Sequence, residues 1–344
     1  MLYRNLPYLA VLLEPSLRRN IVKDIVKNFD GPTSQLFIPA FMQKNKTVKP
    51  AAGTSFPKLE KAAFSVVKKI LFTEDLSADA ITAGMAVPVP ENVGSLLART
   101  DNDLSLGVVG AAYHPVQNET LHKAVERTLY KSLPSTLVNG TVLTEQTNRN
   151  GAFVRLMYSI PALYAVIPQL NGTSTKMSFA VIAKNTHGST SVEIKAASID
   201  HACDNINVYG AGSSVSKRHT ENFSTEEMEL FLERDIRTWS NRMRLVRKWA
   251  MAPLSLDDAE MVVSPFFSHG NRSKILDQYL DECLARGESV GALVAALTTW
   301  SSHNNDRFYV RNSHNVDNVA ESLSKREDTV AKVLDSEMFA KVSA

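Results

Sequence analysis

The chain of 344 residues has the composition of an ordinary folded protein, with 44% hydrophobic and 22% charged residues. Its formal net charge of +2 does not mark it as a dedicated nucleic-acid-binding protein. The two cysteines exclude a disulfide framework and a four-cysteine zinc site, and they predict a reducing, cytoplasmic setting. No run of about 20 apolar residues predicts a membrane span, so we expect no membrane partner.

The first 90 residues predict a helical segment with a basic arm. Apolar residues recur at every fourth position between residues 15 and 29, which is typical of an amphipathic helix. Residues 43–58 show no periodicity and predict a linker or mobile arm, and residues 58–72 resume a helical pattern. Seven lysines and one glutamate lie between residues 44 and 69. The lysines that we predict to contact nucleic-acid phosphates are Lys44, Lys46 and Lys49.

Residues 91–305 predict an α+β core. A buried strand at residues 105–113 leads into a helix at residues 114–133. Further strands are predicted at residues 152–160, 162–170, 176–184, 191–199 and 205–210. Because sequential strands separated by short turns usually pair with each other, we expect a central antiparallel β-meander that packs on a long amphipathic helix and on flanking helices.

The long helix is predicted between Phe223 and Trp249. Ser224 is a good N-cap residue, and Glu227 three residues later completes a capping box. Apolar residues at spacings of three and four then form a stripe that should face the core: Ile236, Trp239, Met243, Val246 and Ala250. Residues 289–303 predict an apolar helix, and residues 319–334 predict a charged helix within a C-terminal tail, residues 306–344.

The same helix gathers positive charge. Between residues 234 and 248 there is one acidic residue and a set of six basic ones: Arg234, Arg237, Arg242, Arg244, Arg247 and Lys248. Arg237, Arg244 and Lys248 fall on one side, away from the core stripe, where they could follow a phosphate backbone. Trp249 lies off the core stripe and is the candidate for stacking on a base. The alternative is an ordinary solvated helix face.

The stretch from Lys184 to Asn205 looks more like an active site than any other part of the sequence. The spacing of His201 and Cys203 matches no usual pair of zinc ligands, and His187 falls in a predicted turn. An isolated cysteine is more often a buried apolar residue than a nucleophile. We therefore favour a structural hairpin turn, and we predict no metal, no cofactor and no catalytic residue. Phosphate-loop, GxSxG and HExxH motifs are absent from the sequence, which favours a non-enzymatic protein.

Several blocks resemble the phage/plasmid-like protein family known as domain of unknown function 932. The most specific block is ARTDNDLSLGVVGAAYHPVQNETL, residues 98–121, and NTHGSTSVEI, KRHT and TTWSSH are similar to later segments of that family. The residues that carry the resemblance are Arg99, Asp101, Tyr113, Gln117, Asn118, His187, Cys203, Asn205 and His219. The chain departs from the pattern at Gly188, where the family has an acidic residue. The resemblance covers roughly residues 95–305 and implies a mobile element in a bacterial host cell; the family has no agreed activity.

We expect a non-enzymatic, homo-oligomeric nucleic-acid-binding protein of phage or plasmid replication or recombination. A β-meander backed by a long helix with basic residues is similar in outline to the single-strand annealing proteins of phages. Tyr113 or Trp249 would then stack on bases. One alternative is a protein-interaction factor of a mobile element, acting in host takeover, in counter-defence or as a virion component. Another is an enzyme, which would require His187, Cys203 and His219 to converge in space.

Overall fold

The computed structural model describes residues 55–70, 95–110, 112–188, 191–203, 205–208, 214–303 and 319–344. All of these residues belong to one compact unit. The helix predicted at residues 15–29 and the three predicted phosphate contacts Lys44, Lys46 and Lys49 lie outside the described residues. Those predictions stay predictions.

The described strands form two antiparallel sheets. The small sheet contains β1 (Val66–Ile70), β2 (Ser95–Arg99) and β3 (Ser105–Val109), in that order. The large sheet contains β4 (Val142–Asn148), β5 (Phe153–Pro168), β6 (Ser174–Thr186), β7 (Val192–Asp200), β8 (Asn205–Val208) and β9 (Ser214–Lys217). Strands β4 to β8 pair in chain order, and β9 pairs with the first half of β7. The predicted antiparallel meander is confirmed.

Strand β5 is one strand of 16 residues where the sequence predicted two. Its pairing with β6 changes register between Ile160 and Tyr164, and Pro161 lies in this irregular stretch. Proline has no N–H to donate to a neighbouring strand, so it is tolerated in a sheet at such an irregularity. Pro161 therefore lies within one continuous strand and does not end it.

Strand β1 lies where the sequence predicted a helix. Both main-chain groups of Val66 bind the side-chain amide of Gln117: Val66 N–H donates to Oε1 at 2.8 Å, and Val66 C=O accepts from Nε2 at 2.9 Å. The side chain of Gln117 thus binds the main chain of β1 as a neighbouring strand would, on the edge of β1 that does not pair with β2. These tertiary contacts override the helical pattern of residues 58–72.

Eight helices surround the sheets in the described part of the chain. They are α1 (Asn118–Ser132), α2 (Ser135–Val138), α3 (Glu226–Met251), α4 (Leu256–Val263), α5 (His269–Arg286), α6 (Val290–His303), α7 (Val319–Leu334) and α8 (Glu337–Ser343). A 3₁₀ turn, Arg149–Gly151, joins β4 to β5. None of the described helices is both long and apolar enough to cross a membrane.

Helix α3 packs its predicted apolar stripe against the large sheet. Every residue of that stripe is at most 6% exposed. Trp239 meets Phe179 of β6 edge to face, with ring centroids 6.1 Å apart, and its indole N–H donates to Ser198 Oγ of β7 at 3.2 Å. The α+β architecture with a meander packed on a long helix is therefore confirmed.

The start of α3 differs from the predicted capping box. The N-cap residue is Thr225, one position later than predicted, and its side chain makes no capping hydrogen bond. Ser224 Oγ instead accepts a hydrogen bond from the N–H of Glu226 at 3.2 Å. The first turn carries three acidic residues, which stabilise a helix N-terminus through its dipole without a capping box.

Helices α3 and α6 cross so closely that Gly291 has no room for a side chain. A Cβ atom there would lie 2.7 Å from Ala250 Cα. Because main-chain atoms cannot rotate aside, we expect Gly291→Ala to lower the free energy of unfolding by about 1–3 kcal/mol in urea titrations. The matched control is Gly270→Ala in α5, where a Cβ atom would meet nothing within 4 Å. That change should stabilise the protein by up to about 1 kcal/mol through helix propensity; equal effects at both sites would contradict this account.

Candidate functional site

Two of the predicted family residues, His187 and His219, meet at one end of the large sheet. His187 directly follows β6, and His219 lies two residues after β9, which pairs with the start of β7. Their ring centroids are 5.8 Å apart. The two residues are 2% and 4% exposed, so the pair is buried.

Tyr113 covers one face of this pair. Its ring stacks on His219 with centroids 4.8 Å apart and an angle of 20°. The hydroxyl accepts a hydrogen bond from the N–H of Gly188 at 3.1 Å. Gly188 has φ +77, a conformation that glycine adopts without strain, and this turn places its N–H toward Tyr113.

Phe64 connects the histidines to the arginine–aspartate pair of the family block. Its ring centroid lies 6.5 Å from that of His187. The guanidinium of Arg99 lies over the Phe64 ring at 3.9 Å, within the range of a cation–π interaction. Arg99 also binds both carboxylate oxygens of Asp101, at 2.8 and 2.5 Å, and this guanidinium lowers the pKa of Asp101. Arg99 and Asp101 therefore belong to the same cluster as His187.

Side-chain amides hold the elements around the histidines together. Asn185, on β6, donates through Nδ2 to the carbonyl oxygen of Val116 at 2.8 Å and to Asn118 Oδ1 at 2.9 Å. Gln117 binds β1, as described above. The predicted family residues Gln117 and Asn118, together with Asn185, thus join the small sheet, the start of α1 and β6. This is a positioning role.

The histidine pair is uncharged at neutral pH. Burial, reinforced by the neighbouring His219, lowers the pKa of His187 from 6.5 to about 3. Burial lowers the pKa of His219 to about 4, against a smaller opposing effect of the Thr186 backbone. Val116 N–H donates to His219 Nδ1 at 3.2 Å, which assigns the proton of this ring to Nε2. Neither nitrogen of His187 nor Nε2 of His219 has a hydrogen-bond partner of good geometry among the described residues.

This chemistry disfavours a metal site and acid–base catalysis at the pair. A metal ligand must offer a lone pair, but Nδ1 of His219 accepts the N–H of Val116 and its Nε2 carries the proton, so His187 would be the single ligand of the pair. Within the described ranges, no group of three or more histidine, cysteine, aspartate or glutamate residues could hold a metal ion. A general base works best with a pKa near the operating pH, far from the low pKa values of His187 and His219.

Cys203 and Asn205 lie at the other end of β7. The nine residues of that strand separate the two ends by about 30 Å, at about 3.3 Å per residue. Asn205 binds α6 through its side-chain amide. Arg286 donates to the sulfur of Cys203 at 3.6 Å, and burial raises the pKa of this thiol to about 12. His187 and His219 converge, but Cys203 does not join them, so the three do not form the enzyme site that we considered.

The exposed side of α3 is the second candidate surface. Arg237, Asn241, Arg244 and Lys248 are exposed and fall within a sector of about 60°, at about 100° per residue. Arg237 lies 3.6 Å from Glu233. In the part of the chain that the structure describes, no carboxylate pairs with Arg244 or Lys248. We call these four residues the α3 stripe.

The other three arginines of the predicted set bind within the protein. Arg247 donates to the carbonyl oxygen of Val166 at 2.7 and 3.1 Å. Arg242 and Arg234 contact the buried carboxylate of Asp235 at 3.0 and 3.4 Å. These side chains keep positive charge near the α3 stripe, but protein contacts fix their geometry.

The sequence predicted that Trp249 lies off the core-facing side of α3, and this prediction is wrong. The residue is 6% exposed, and its ring meets Phe339 of α8 edge to face at 5.2 Å. The C-terminal helix covers this side of α3, which the periodicity of α3 alone does not reveal. Trp249 is therefore not available for stacking on a base. Tyr113 is half-buried, with one ring face on His219.

A family model for the domain of unknown function 932 (DUF932) matches residues 105–323. The chain belongs to this family. The DUF932 match includes β3, the histidine pair and the α3 stripe, and it confirms the resemblance found in the sequence. No curated protein and no solved structure matches the chain.

Three residues that surround His187 and His219 in this DUF932 protein were not predicted as site residues from the sequence: Phe64, Asn185 and Gly188. Phe64 lay in a predicted helix, and Asn185 and Gly188 were assigned to a turn. Asn185 and Gly188 flank His187 in the quoted block NTHGST, so the block itself was a signal for them. Phe64 carried no such signal, because its contact with Gly151 and Arg99 depends on the tertiary fold.

Proposed function

We propose that this DUF932 protein binds nucleic acid through the α3 stripe. The supporting observation is a row of exposed cations on one side of a helix whose other side is fixed in the core. Arg244 and Lys248 have no carboxylate partner among the described residues, so no internal ion pair has to break before they contact a phosphate. The net charge of the chain is only +2, but residues 234–248 carry six basic residues and one acidic residue.

The length of the stripe suits a short stretch of backbone. Arg237 and Lys248 are 11 positions apart, or about 16 Å along the helix axis at about 1.5 Å per residue. In a B-form duplex one strand carries a phosphate about every 3.4 Å of helix axis, so the stripe spans about five phosphates of such a strand and fewer of an extended single strand. Asn241 adds a neutral hydrogen-bonding group between the cations.

We further propose that the ligand is single-stranded DNA, bound by an oligomer during phage or plasmid replication or recombination. This part rests on the outline of the fold, a β-meander backed by a long helix, which is similar to that of phage single-strand annealing proteins. Arginine and lysine contacts to phosphate are largely independent of sequence, so we expect binding without strong base preference.

The test is fluorescence anisotropy of labelled single- and double-stranded oligonucleotides over a series of salt concentrations. The triple variant Arg237→Ala, Arg244→Ala, Lys248→Ala should bind more weakly. The slope of log K against log salt is negative, and its magnitude should decrease by about 2 for single strands, at about 0.7 per phosphate contact.

The control makes the same change in charge at three exposed lysines of other helices: Lys274, Lys332 and Lys341. Its affinity and salt slope should match those of the wild-type protein. Equal losses in both triple variants would show a non-specific charge effect. No binding by the wild-type protein at low salt would overturn the proposal and favour the protein-interaction alternative.

A further inference from the structure

A small cavity lies between the large sheet and helices α3 and α6. Its volume is about 20 Å³. A water molecule needs roughly 10–15 Å³ of such space, so the cavity has room for about one water and for no larger ligand. Gln169 directly follows β5, Asn207 lies on β8 and Trp249 lies on α3, and all three line the cavity. None of them belongs to the α3 stripe or to the histidine cluster.

Three buried polar atoms of these side chains lack a hydrogen-bond partner among the described residues. They are Gln169 Oε1, Asn207 Nδ2 and Trp249 Nε1, and the residues are 4%, 3% and 6% exposed. Buried polar atoms are rarely left without a partner. Three of them on the walls of one small cavity point to a ligand that pairs with all three.

Neighbouring contacts show which group each side chain offers. Gln169 Nε2 donates to the main-chain carbonyl two residues before it at 3.2 Å, so Oε1 is the atom that needs a donor. Asn207 pairs directly with Ser198 of β7, and Ser198 accepts the indole N–H of Trp239 of α3, so Asn207 also faces α3. The indole of Trp249 can only donate. The cavity thus offers one acceptor and two donors.

The charged groups in the wall do not require an ion. Asp200 and Arg286 also line the cavity, but they pair with each other at 2.9 Å, so their charges cancel. An ammonium ion has no lone pair for Asn207 and Trp249, and a halide has no proton for Gln169. A water molecule has two lone pairs and two protons, and it can therefore satisfy all three side chains.

We propose that this cavity binds one structural water molecule, which donates to Gln169 Oε1 and accepts from Asn207 Nδ2 and Trp249 Nε1. About three hydrogen bonds are typical of a buried water. The water joins the end of β5, β8 and the helix that carries the α3 stripe. It belongs to the folded protein with or without nucleic acid, so its test is independent of the proposed function.

The first test is a high-resolution crystal structure of the full-length protein. One peak of density should lie within about 2.7–3.2 Å of all three atoms. Crystals soaked in bromide should show no anomalous peak there, because a halide cannot donate to Gln169 Oε1. A cavity without density, or a bromide peak inside it, would overturn the proposal.

The second test observes the indole N–H of Trp249 by NMR of the isotope-labelled protein in solution, with Trp249→Phe to assign the signal. A water that stays bound while the protein tumbles gives cross-peaks of opposite sign in NOE and ROE spectra, whereas proton exchange gives cross-peaks of the same sign. We expect opposite signs for Trp249. The absence of a water cross-peak of this kind would contradict the proposal, and this result needs no folded variant.

A double variant tests the predicted partners. Gln169→Met combined with Asn207→Leu leaves Trp249 as the single partner of the three, and a buried water needs at least about two. The cross-peak between Trp249 and water should therefore be lost. The indole signal of Trp300, which does not line the cavity, is the internal control and should not change. Circular dichroism melting curves would confirm that the variant is folded, and a water cross-peak that persists in the folded variant would refute the assigned site.

Discussion

Acidification from pH 6.5 to about 4 should lower the free energy of unfolding through the histidine pair alone, with a slope that reaches about 2.7 kcal/mol per pH unit near pH 5. The unfolded chain takes up a proton on each histidine below pH 6.5, but burial holds the folded-state pKa values of His187 and His219 at about 3 and about 4. Each histidine therefore costs about 1.4 kcal/mol per pH unit in this window. Above pH 6.5 both states are neutral and the effect vanishes; below about pH 4 it levels off, first for His219.

The pair can be replaced by groups that do not titrate. In His219→Asn, the side-chain oxygen can take the place of Nδ1 as acceptor for the N–H of Val116. His187→Phe keeps a ring of similar size and removes two nitrogens that have no partner among the described residues. We expect each single variant to lose about half of the acid sensitivity, and the double variant to lose about 2.7 kcal/mol per pH unit.

Urea unfolding at intervals between pH 7.5 and 4.5 would measure this slope. At pH 7.5 the histidines are neutral, so any difference in stability there reflects packing, such as the lost ring contact of His219 with Tyr113. The test therefore rests on the change of the slope with pH. Parallel pH profiles for the wild-type protein and the double variant would show that the histidines are protonated in the folded state, and the account of their burial would then fail.

Two long helices could be predicted from the sequence because one side of each is continuously apolar. The periodic stripe of α3 located the helix to within three residues at each end, and the predicted helix at residues 319–334 agrees with α7. The meander strands were found in the same way, from short apolar runs separated by turn residues. In these segments, local pattern and tertiary environment favour the same structure.

Helix α5 shows why other elements could not be predicted. Its buried residues are Ile275, Tyr279, Glu282 and Arg286, so half of its core-facing positions are charged. A buried glutamate and arginine look like surface residues in a sequence, since such side chains are almost always exposed unless they are paired. The pairing of Arg286 with Asp200 joins residues 86 positions apart, and no local pattern contains it.

The same limit applies to the candidate sites. The sequence identified His187 and His219 individually, but their contact depends on the pairing of β9 with β7. The charges of α3 were visible in the sequence, whereas their division between exposed stripe and internal contacts was not. Arg247, for example, binds a carbonyl group of β5 that is 81 positions away.

Helix α7 is held on the large sheet by buried charges, and this gives the second large expected effect. Arg155 of β5 donates to Glu327 of α7 at 2.5 Å, and the two side chains are 1% and 0% exposed. Arg155 Nε and Glu327 Oε2 have no hydrogen-bond partner among the described residues. On the next strand, Lys184 lies opposite Arg155 and donates to Ser324 of α7 at 2.5 Å.

Removing one member of the Arg155–Glu327 pair should destabilise the protein by about 3–5 kcal/mol, because the other charge stays buried without its partner. We expect this loss in the free energy of unfolding for Glu327→Leu and for Arg155→Met, measured in urea at pH 7.5. The double variant should recover most of the loss, since well-packed apolar side chains often replace a buried ion pair without cost.

The double-mutant cycle separates this account from a simple loss of packing. Arg155 and Glu327 are incompletely hydrogen-bonded, so the cost of removing both charges from water offsets most of their attraction. The coupling energy of the cycle should therefore come mainly from the charge that each single variant leaves buried alone. The double variant should then unfold within about 1 kcal/mol of the wild-type protein. If the two single losses add, the apolar replacements do not fit the site. If Glu327→Leu alone costs less than about 1 kcal/mol, α7 does not bury this carboxylate against Arg155 in solution.

Recovery in the double variant would mean that the charges set the position of α7 on β5, while its apolar residues, such as Val330 and Val333, supply most of its binding energy.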